Sequence, residues 1–219
     1  MARSNTRTMQ KIGALLSMAI GLTMLSACSD DDGDSFPSVI TDLVLATSDS
    51  DGMLYQVTTD NGTIHNIAHH KLNISTPDTV IRCMISYTIQ DDCATLYSIS
   101  PVYCNKAYKP EDIIVIKDSV KIPGTEYLPR DPVKVISMWQ SPSFINLHLG
   151  IMTTGNGTSQ YLFCNDSTGH YSLVHRRPSK DEESYTKQVY LSMPVEPNTD
   201  SLTFSVYTYE GIISRTFRW

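Results

Sequence analysis

The sequence is poor in charge, with 18% Asp, Glu, Lys and Arg, and its basic residues gather only into short pairs such as Arg176-Arg177. A phosphate backbone is held by clustered lysine and arginine, so nucleic acid is not an expected partner. No Cys-x-x-Cys pair occurs, and the spacings between Cys83, Cys93, Cys104 and Cys164 match no zinc-ligand pattern, which argues against redox and metal roles. There is no Gly-x-Ser-x-Gly elbow, no phosphate loop and no His-Glu-x-x-His helix, so the chain is not expected to be an enzyme. Glu182-Glu183 lies in a charged stretch, where a solvated run is the ordinary reading rather than a glycosidase pair. Long apolar runs are also scarce. The one at residues 12–25 is too short to span a bilayer comfortably as a helix.

That single run has telling neighbours. Arg3, Arg7 and Lys11 surround its start, and Leu25-Ser26-Ala27-Cys28 follows it. A positive segment, an apolar core and small residues before a cysteine make a lipobox, so residues 1–27 are expected to be a removed signal peptide. Cys28 is expected to carry a covalent lipid of the palmitate class, with no other cofactor implied. At about 0.8 kcal/mol per buried methylene, several acyl chains hold a protein firmly on a membrane. Residues 28–37 then read as an acidic, hydrated tether. Its start, Cys28-Ser29-Asp30-Asp31-Asp32, resembles the acidic surface-export signal of Bacteroidota-type lipoproteins, which implies an outer-membrane protein facing the cell exterior. A plain spacer would leave it on the periplasmic face. Removing the leader takes three of 17 basic residues, leaving 14 against 23 acidic ones and a net charge of −9.

Four cysteines remain in a compartment where disulfides persist. A bridge among Cys83, Cys93 and Cys104 is open, Cys164 being the fourth thiol, and sequence gives no pairing. Taken alone, Cys83 alternates with Ile81, Ile85, Tyr87 and Ile89, which makes it a small buried hydrophobe. His65, His69 and His70 lie close together but fit no metal motif, so no metal site is expected. His148, His170 and His175 fall on strand patterns as solvated positions. Asp78-Thr79-Val80, Asp118-Ser119-Val120, Asp166-Ser167-Thr168 and Asp200-Ser201-Leu202 resemble bacterial O-glycosylation sites, although Asp and Ser/Thr at turns explain them as well. The Asn-x-Ser/Thr triplets at Asn73, Asn156 and Asn165 carry less weight in a bacterial chain.

The hydrophobic period is two almost throughout, with no amphipathic helix beyond a couple of turns, so the protein is expected to be all-β. Strands are expected at residues 39–47, 53–59, 63–68, 79–89 and 94–103, with Asn61-Gly62 as a type I′ hairpin turn and a second hairpin about Gln90-Asp91-Asp92. These fill a first domain, residues 38–108. Prolines 110, 123, 129 and 132 mark residues 109–132 as a connection. Seven further strands, at residues 133–139, 144–153, 160–165, 171–176, 188–195, 202–209 and 212–217, make residues 133–219 a β-sandwich.

The junction Asp131-Pro132-Val133-Lys134-Val135-Ile136-Ser137-Met138-Trp139, with Phe144-Ile145-Asn146-Leu147 after it, resembles the NigD-like lipoproteins, as do the lipobox, the acidic tether and residues 195–209. The resemblance covers most of the mature chain. It implies an N-terminal OB-like barrel before the C-terminal β-sandwich, and a family named for a bacteriocin-associated operon; it brings no catalytic residues. The four mature cysteines depart from the family pattern. Trp139 is expected to pack, although an exposed Trp139 beside Phe144 would make a binding pair for a sugar ring or partner. Three functions stand: a non-enzymatic lipoprotein binding a protein, peptide or glycan at the envelope; a bacteriocin-associated accessory or immunity lipoprotein; and an envelope hydrolase, which would need titratable groups to converge in a pocket.

Overall fold

The structure is a computed structural model, and it describes residues 38–70, 72, 76–116, 119–121, 128–155, 157–167, 169–177 and 185–219. Cys28, the acidic run Ser29 to Asp32, Asn73, Asn156, Asp118, Thr168 and Glu182-Glu183 lie outside the described residues.

Five strands close into a barrel: β1 (Ile40–Ser48), β2 (Leu54–Thr59), β3 (Ile64–His69), β4 (Val80–Gln90) and β5 (Cys93–Pro101), in the order β1-β2-β3-β5-β4. All neighbours are antiparallel except β3 and β5. This is the OB-like barrel that the resemblance implied. Alternation drives it, since Val44, Ala46, Val57, Cys83, Ile85, Tyr87, Ala94 and Leu96 all point inward and are buried.

The two hairpins exchange the expected turn chemistry. At Asp60-Asn61-Gly62 only Gly62 has positive φ, at +87°, and Thr59 both donates to the Thr63 carbonyl and accepts from the Gly62 amide. That is a three-residue loop ending in a glycine bulge, not the expected two-residue type I′ turn. The Asn61 side chain is occupied with local capping, accepting from the Thr63 amide at 3.0 Å and from the Thr59 hydroxyl. The two-residue turn with both φ positive occurs instead at Asp91 (+49°) and Asp92 (+61°), between paired Gln90 and Cys93.

The sandwich packs two four-stranded sheets. One holds β10 (Lys134–Ser141), β11 (Phe144–Thr153), β14 (Tyr185–Pro194) and the short β6 (Tyr103–Cys104). The other holds β12 (Gln160–Ser167), β13 (His170–Arg176), β15 (Ser201–Thr208) and β16 (Gly211–Arg218). Between them lies a core of Ile145, Leu147, Leu149, Ile151, Phe163, Leu173, Leu191, Met193, Phe204, Val206 and Phe217.

Two expectations about the middle of the chain need correction. The strand expected at residues 94–103 ends at Pro101, whose missing N–H suits a strand end; the chain then pairs with β14 at Tyr103–Cys104, before the expected connection begins. Residues 109–132 are more than a connection. Ile113 and Tyr108 cover Leu162, Cys164 and Val174, and β7 (Ile114–Ile116), β8 (Ser119–Lys121) and β9 (Leu128–Pro129) form a small sheet of their own.

Among the described residues, Cys83, Cys93, Cys104 and Cys164 are free thiols. On the β4/β5 hairpin Cys83 faces Pro101 while Cys93 faces Gln90, placing them near opposite ends of the ladder. Cys104 pairs with Ser192 in the sandwich. Burial pushes the thiols of Cys83 and Cys164 up to about 12, so each behaves as a small apolar side chain.

Candidate functional site

The β10-β11-β14 sheet has two faces with different fates. On β11 the odd residues fill the sandwich core, while Phe144, Asn146 and His148 face the barrel side, where register sets Trp139 and Ser192 beside Asn146, and Ser137 and Tyr190 beside His148. On the barrel, Arg82 and Met84 of β4 pair with Leu45 and Leu43 of β1, opposite in phase to inward Cys83 and Val44. Of these outward residues, Arg82, Met84 and Leu43 meet the sandwich.

One end of that seam is locked. The Arg82 guanidinium, 1% exposed, holds the Asp60 carboxylate through both oxygens at 2.5 and 2.9 Å. It also donates to Ser192 Oγ at 3.2 Å and to Asn146 Oδ1 at 3.1 Å, and lies 4.1 Å above the Phe144 ring. Ser192 donates to Asn146 Oδ1 at 2.7 Å, and the Asn146 amide donates to Ser141 Oγ at 3.3 Å. A buried guanidinium needs all its donors answered, and here a carboxylate from the barrel and two polar groups from the sandwich answer them. The lock therefore forms only in one relative placement of barrel and sandwich.

Beside the lock the seam opens into a cleft of about 550 Å³. Leu43 and Met84 form its barrel wall, Trp139 and Tyr190 its sandwich wall, with Thr41, Asp60, Asn61, Gln140 and Ser141 supplying polar groups. Asp42 also lines it, accepting from the Tyr87 hydroxyl at 3.0 Å; burial and then this bond push the Tyr87 phenol up to about 12. Tyr190 stacks on His148, with ring centres 4.2 Å apart, and His148 Nε2 is 2.9 Å from Gln188 Oε1.

The structure separates the two aromatic residues singled out by sequence. Trp139 is half-buried and lines the cleft, whereas Phe144 is 8% exposed and spent beneath Arg82, so the pair does not form an open platform. The three neighbouring histidines do not converge. His65 leans on Tyr87, His69 is exposed, and His70 Nε2 contacts the Leu54 carbonyl oxygen. Among the described residues no group of three or more His, Cys, Asp or Glu side chains is placed to hold a metal. His175 departs most from expectation. It is 2% exposed rather than solvated, stacks on Tyr161 at 5.3 Å, and burial pulls its pKa down to about 4. The residues that sequence reading missed are Arg82, Asp60, Asn146, Ser192 and Tyr190. A single arginine in the apolar stretch Val80 to Ile85, and a lone asparagine in Phe144 to Leu149, were the available signals.

A NigD-like immunity protein from Bacteroides caccae matches with a TM-score of 0.62 and 23% identity, over 82% of this chain and 93% of that one. The chain has the NigD-like fold. A candidate toxin-related protein from Parabacteroides distasonis, 13% identical, matches with a TM-score of 0.68 over 83% of this chain and 93% of its own. A candidate lipoprotein from Bacteroides fragilis matches at 0.55 and 11% identity, over 83% and 96%. No protein-family profile and no curated protein matches the chain. The NigD-like fold accounts for barrel and sandwich together, since each match extends over both.

Proposed function

We propose that this chain is a NigD-like lipoprotein of the bacterial envelope that binds a partner at the barrel–sandwich seam without converting it chemically. Residues 1–27 are removed, Cys28 carries the lipid, and residues 28–37 form the tether, with Ser29 to Asp32 directing the protein to the outer surface. The lipobox supports the anchor, as does the shared fold with a candidate lipoprotein. No helix among the described residues is long and apolar enough to cross a membrane.

The observation that carries the binding reading is the cleft itself: Trp139 and Tyr190 face Leu43 and Met84 across a gap whose width the Arg82 lock fixes. Rigid aromatic walls with amide and hydroxyl groups at the rim suit a glycan ring or a peptide side chain. Its two carboxylates are engaged, Asp60 by Arg82 and Asp42 by Tyr87, which suits binding rather than acid–base chemistry.

Two measurements test the lipid anchor and its surface display. Protease is added to intact cells, with a periplasmic protein as control, comparing wild type with a variant carrying Asp30→Ala, Asp31→Ala and Asp32→Ala. Cleavage of wild type and protection of the variant supports acid-dependent display; protection of both removes it and turns the search to the periplasm. Separately, Cys28→Ala should abolish metabolic labelling by a palmitate analogue.

A second reading is favoured by the description of the Bacteroides caccae protein as an immunity protein. Here the chain would serve as a bacteriocin-associated accessory. Deleting its gene should then sensitise cells to a co-encoded toxin, and a neighbourhood with no toxin or export genes would remove this reading.

A further inference from the structure

A second opening, of about 760 Å³, runs along the outer edge of β14, with Met84, Ser100 and Pro101 of the barrel also lining it. β14 pairs with β11 over its whole length, from Tyr185 to Pro194. On its other side, among the described residues, only Tyr103–Cys104 pairs with it, at Leu191 and Ser192. Residues 185–190 thus present strand backbone without a ladder partner on that side, and the opening runs beside them. Exposed edges of this kind recruit another strand, and most proteins blunt or cover them. The chain itself demonstrates the mode, because β6 adds to the same edge as a parallel strand and then leaves it.

We propose that residues 185–190 form a strand-addition site for an extended peptide carrying acidic side chains, in an opening that shares Met84 and Tyr190 with the seam cleft. Six residues of strand span about 20 Å, enough for a short segment to gain main-chain hydrogen bonds. Charge selects its chemistry. In a chain with 23 acidic residues, the described residues that line this opening include no Asp or Glu and one cation, Lys187. Tyr103, Tyr161, Tyr185, Thr158 and Ser159 add hydroxyl groups, beside apolar Met84, Val102, Ile151, Val189 and Leu191. Tyr185 caps one end, its hydroxyl 2.7 Å from where a side chain on Gly155 would begin, so that loop closes on it only because residue 155 is glycine. A second copy of the chain fits less well, since antiparallel pairing of this edge with itself sets Lys187 near its own twin.

The test uses the mature chain and two short fluorescein-labelled peptides, one alternating valine with glutamate and the other valine with lysine. The glutamate peptide should bind at least about threefold more tightly, as an exposed ion pair allows. Lys187→Glu should reverse the order while leaving the circular dichroism spectrum unchanged, and bound peptide should slow hydrogen exchange at residues 185–190. Equal binding of the two peptides overturns the proposal. So does protection that maps to residues 139–141, or a peptide-free dimer formed through this edge and detected by light scattering.

Discussion

The barrel and the sandwich are built from the same two-residue alternation, yet they treat their edges differently. In the barrel, β1 pairs with both β2 and β4, and the parallel β3/β5 pair closes the ring, so no strand edge is left over. In the sandwich, two sheets stack without closing, and β6 covers only a fraction of the β14 edge. Closure satisfies backbone groups internally and leaves a barrel only its outer surface for contacts; an open sandwich keeps both edges and faces available. The sandwich supplies most of the opening beside β14, whereas the barrel supplies most of the seam cleft, through Thr41, Asp42, Leu43, Met84 and the turn at Thr59, Asp60 and Asn61.

The largest expected effect compares the two cores. Phe204→Ala in the sandwich, where the side chain is fully buried against Phe163, should cost about 3–5 kcal/mol, whereas Ile85→Val in the barrel should cost about 0.5–1.5 kcal/mol. Urea unfolding of both variants checks this, and a loss confined to one of two transitions would show that the halves unfold separately.

The lock is the next way to break the comparison. Arg82→Ala strands the Asp60 carboxylate and the Asn146 and Ser192 side chains, and should cost about 3–5 kcal/mol, as for removing one partner of a buried pair. Replacing Arg82 by Met and Asp60 by Asn together should recover part of that loss. If the single variant unfolds like wild type, the seam is not fixed by this network.

His175 gives the sandwich an acid sensitivity. Its pKa falls from 6.5 unfolded to about 4 folded, so the unfolded chain binds more protons between those values, and stability declines as pH drops from about 6.5 towards 4. The full effect, reached below pH 4, is about 3 kcal/mol. His175→Phe keeps the ring against Tyr161 and should flatten this limb in denaturant titrations at pH 5 and pH 7.5.

The smallest effect sharpens the contrast between the two barrel turns. Gly62→Ala meets open space but must adopt φ of +87°, so it should cost about 1–2 kcal/mol. Asp92→Gly, at a residue already held at +61°, should be neutral or stabilise by under about 1 kcal/mol. Thermal melts of the two variants moving in the same direction would contradict these turn assignments.

Most strands were legible because alternation alone specifies which side chains turn inward. The seven strands expected in residues 133–219 all appear, with bounds shifted by a few residues, as do the first four of the barrel. Turn type was less legible: Asn61-Gly62 accepts a type I′ turn, but the side chain of Asn61 caps its own loop and a three-residue turn wins. The site was legible only in part. Trp139 was visible as an aromatic at a strand junction, but whether it faced core, barrel or solvent depended on a register that includes a bulge between Val135 and Ser137. His175 was misread because its surroundings come from Tyr161 on a neighbouring strand.

By itself, then, the sequence determined the strands and their inward faces, since each depends on residues close together along the chain. The free state of the cysteines, the pairing of Arg82 with Asp60, Asn146 and Ser192, the cleft at Trp139 and the uncovered edge of β14 were decided only by tertiary structure. Each of these joins groups tens of residues apart, and a period-two pattern says which face a side chain occupies without saying what that face will meet.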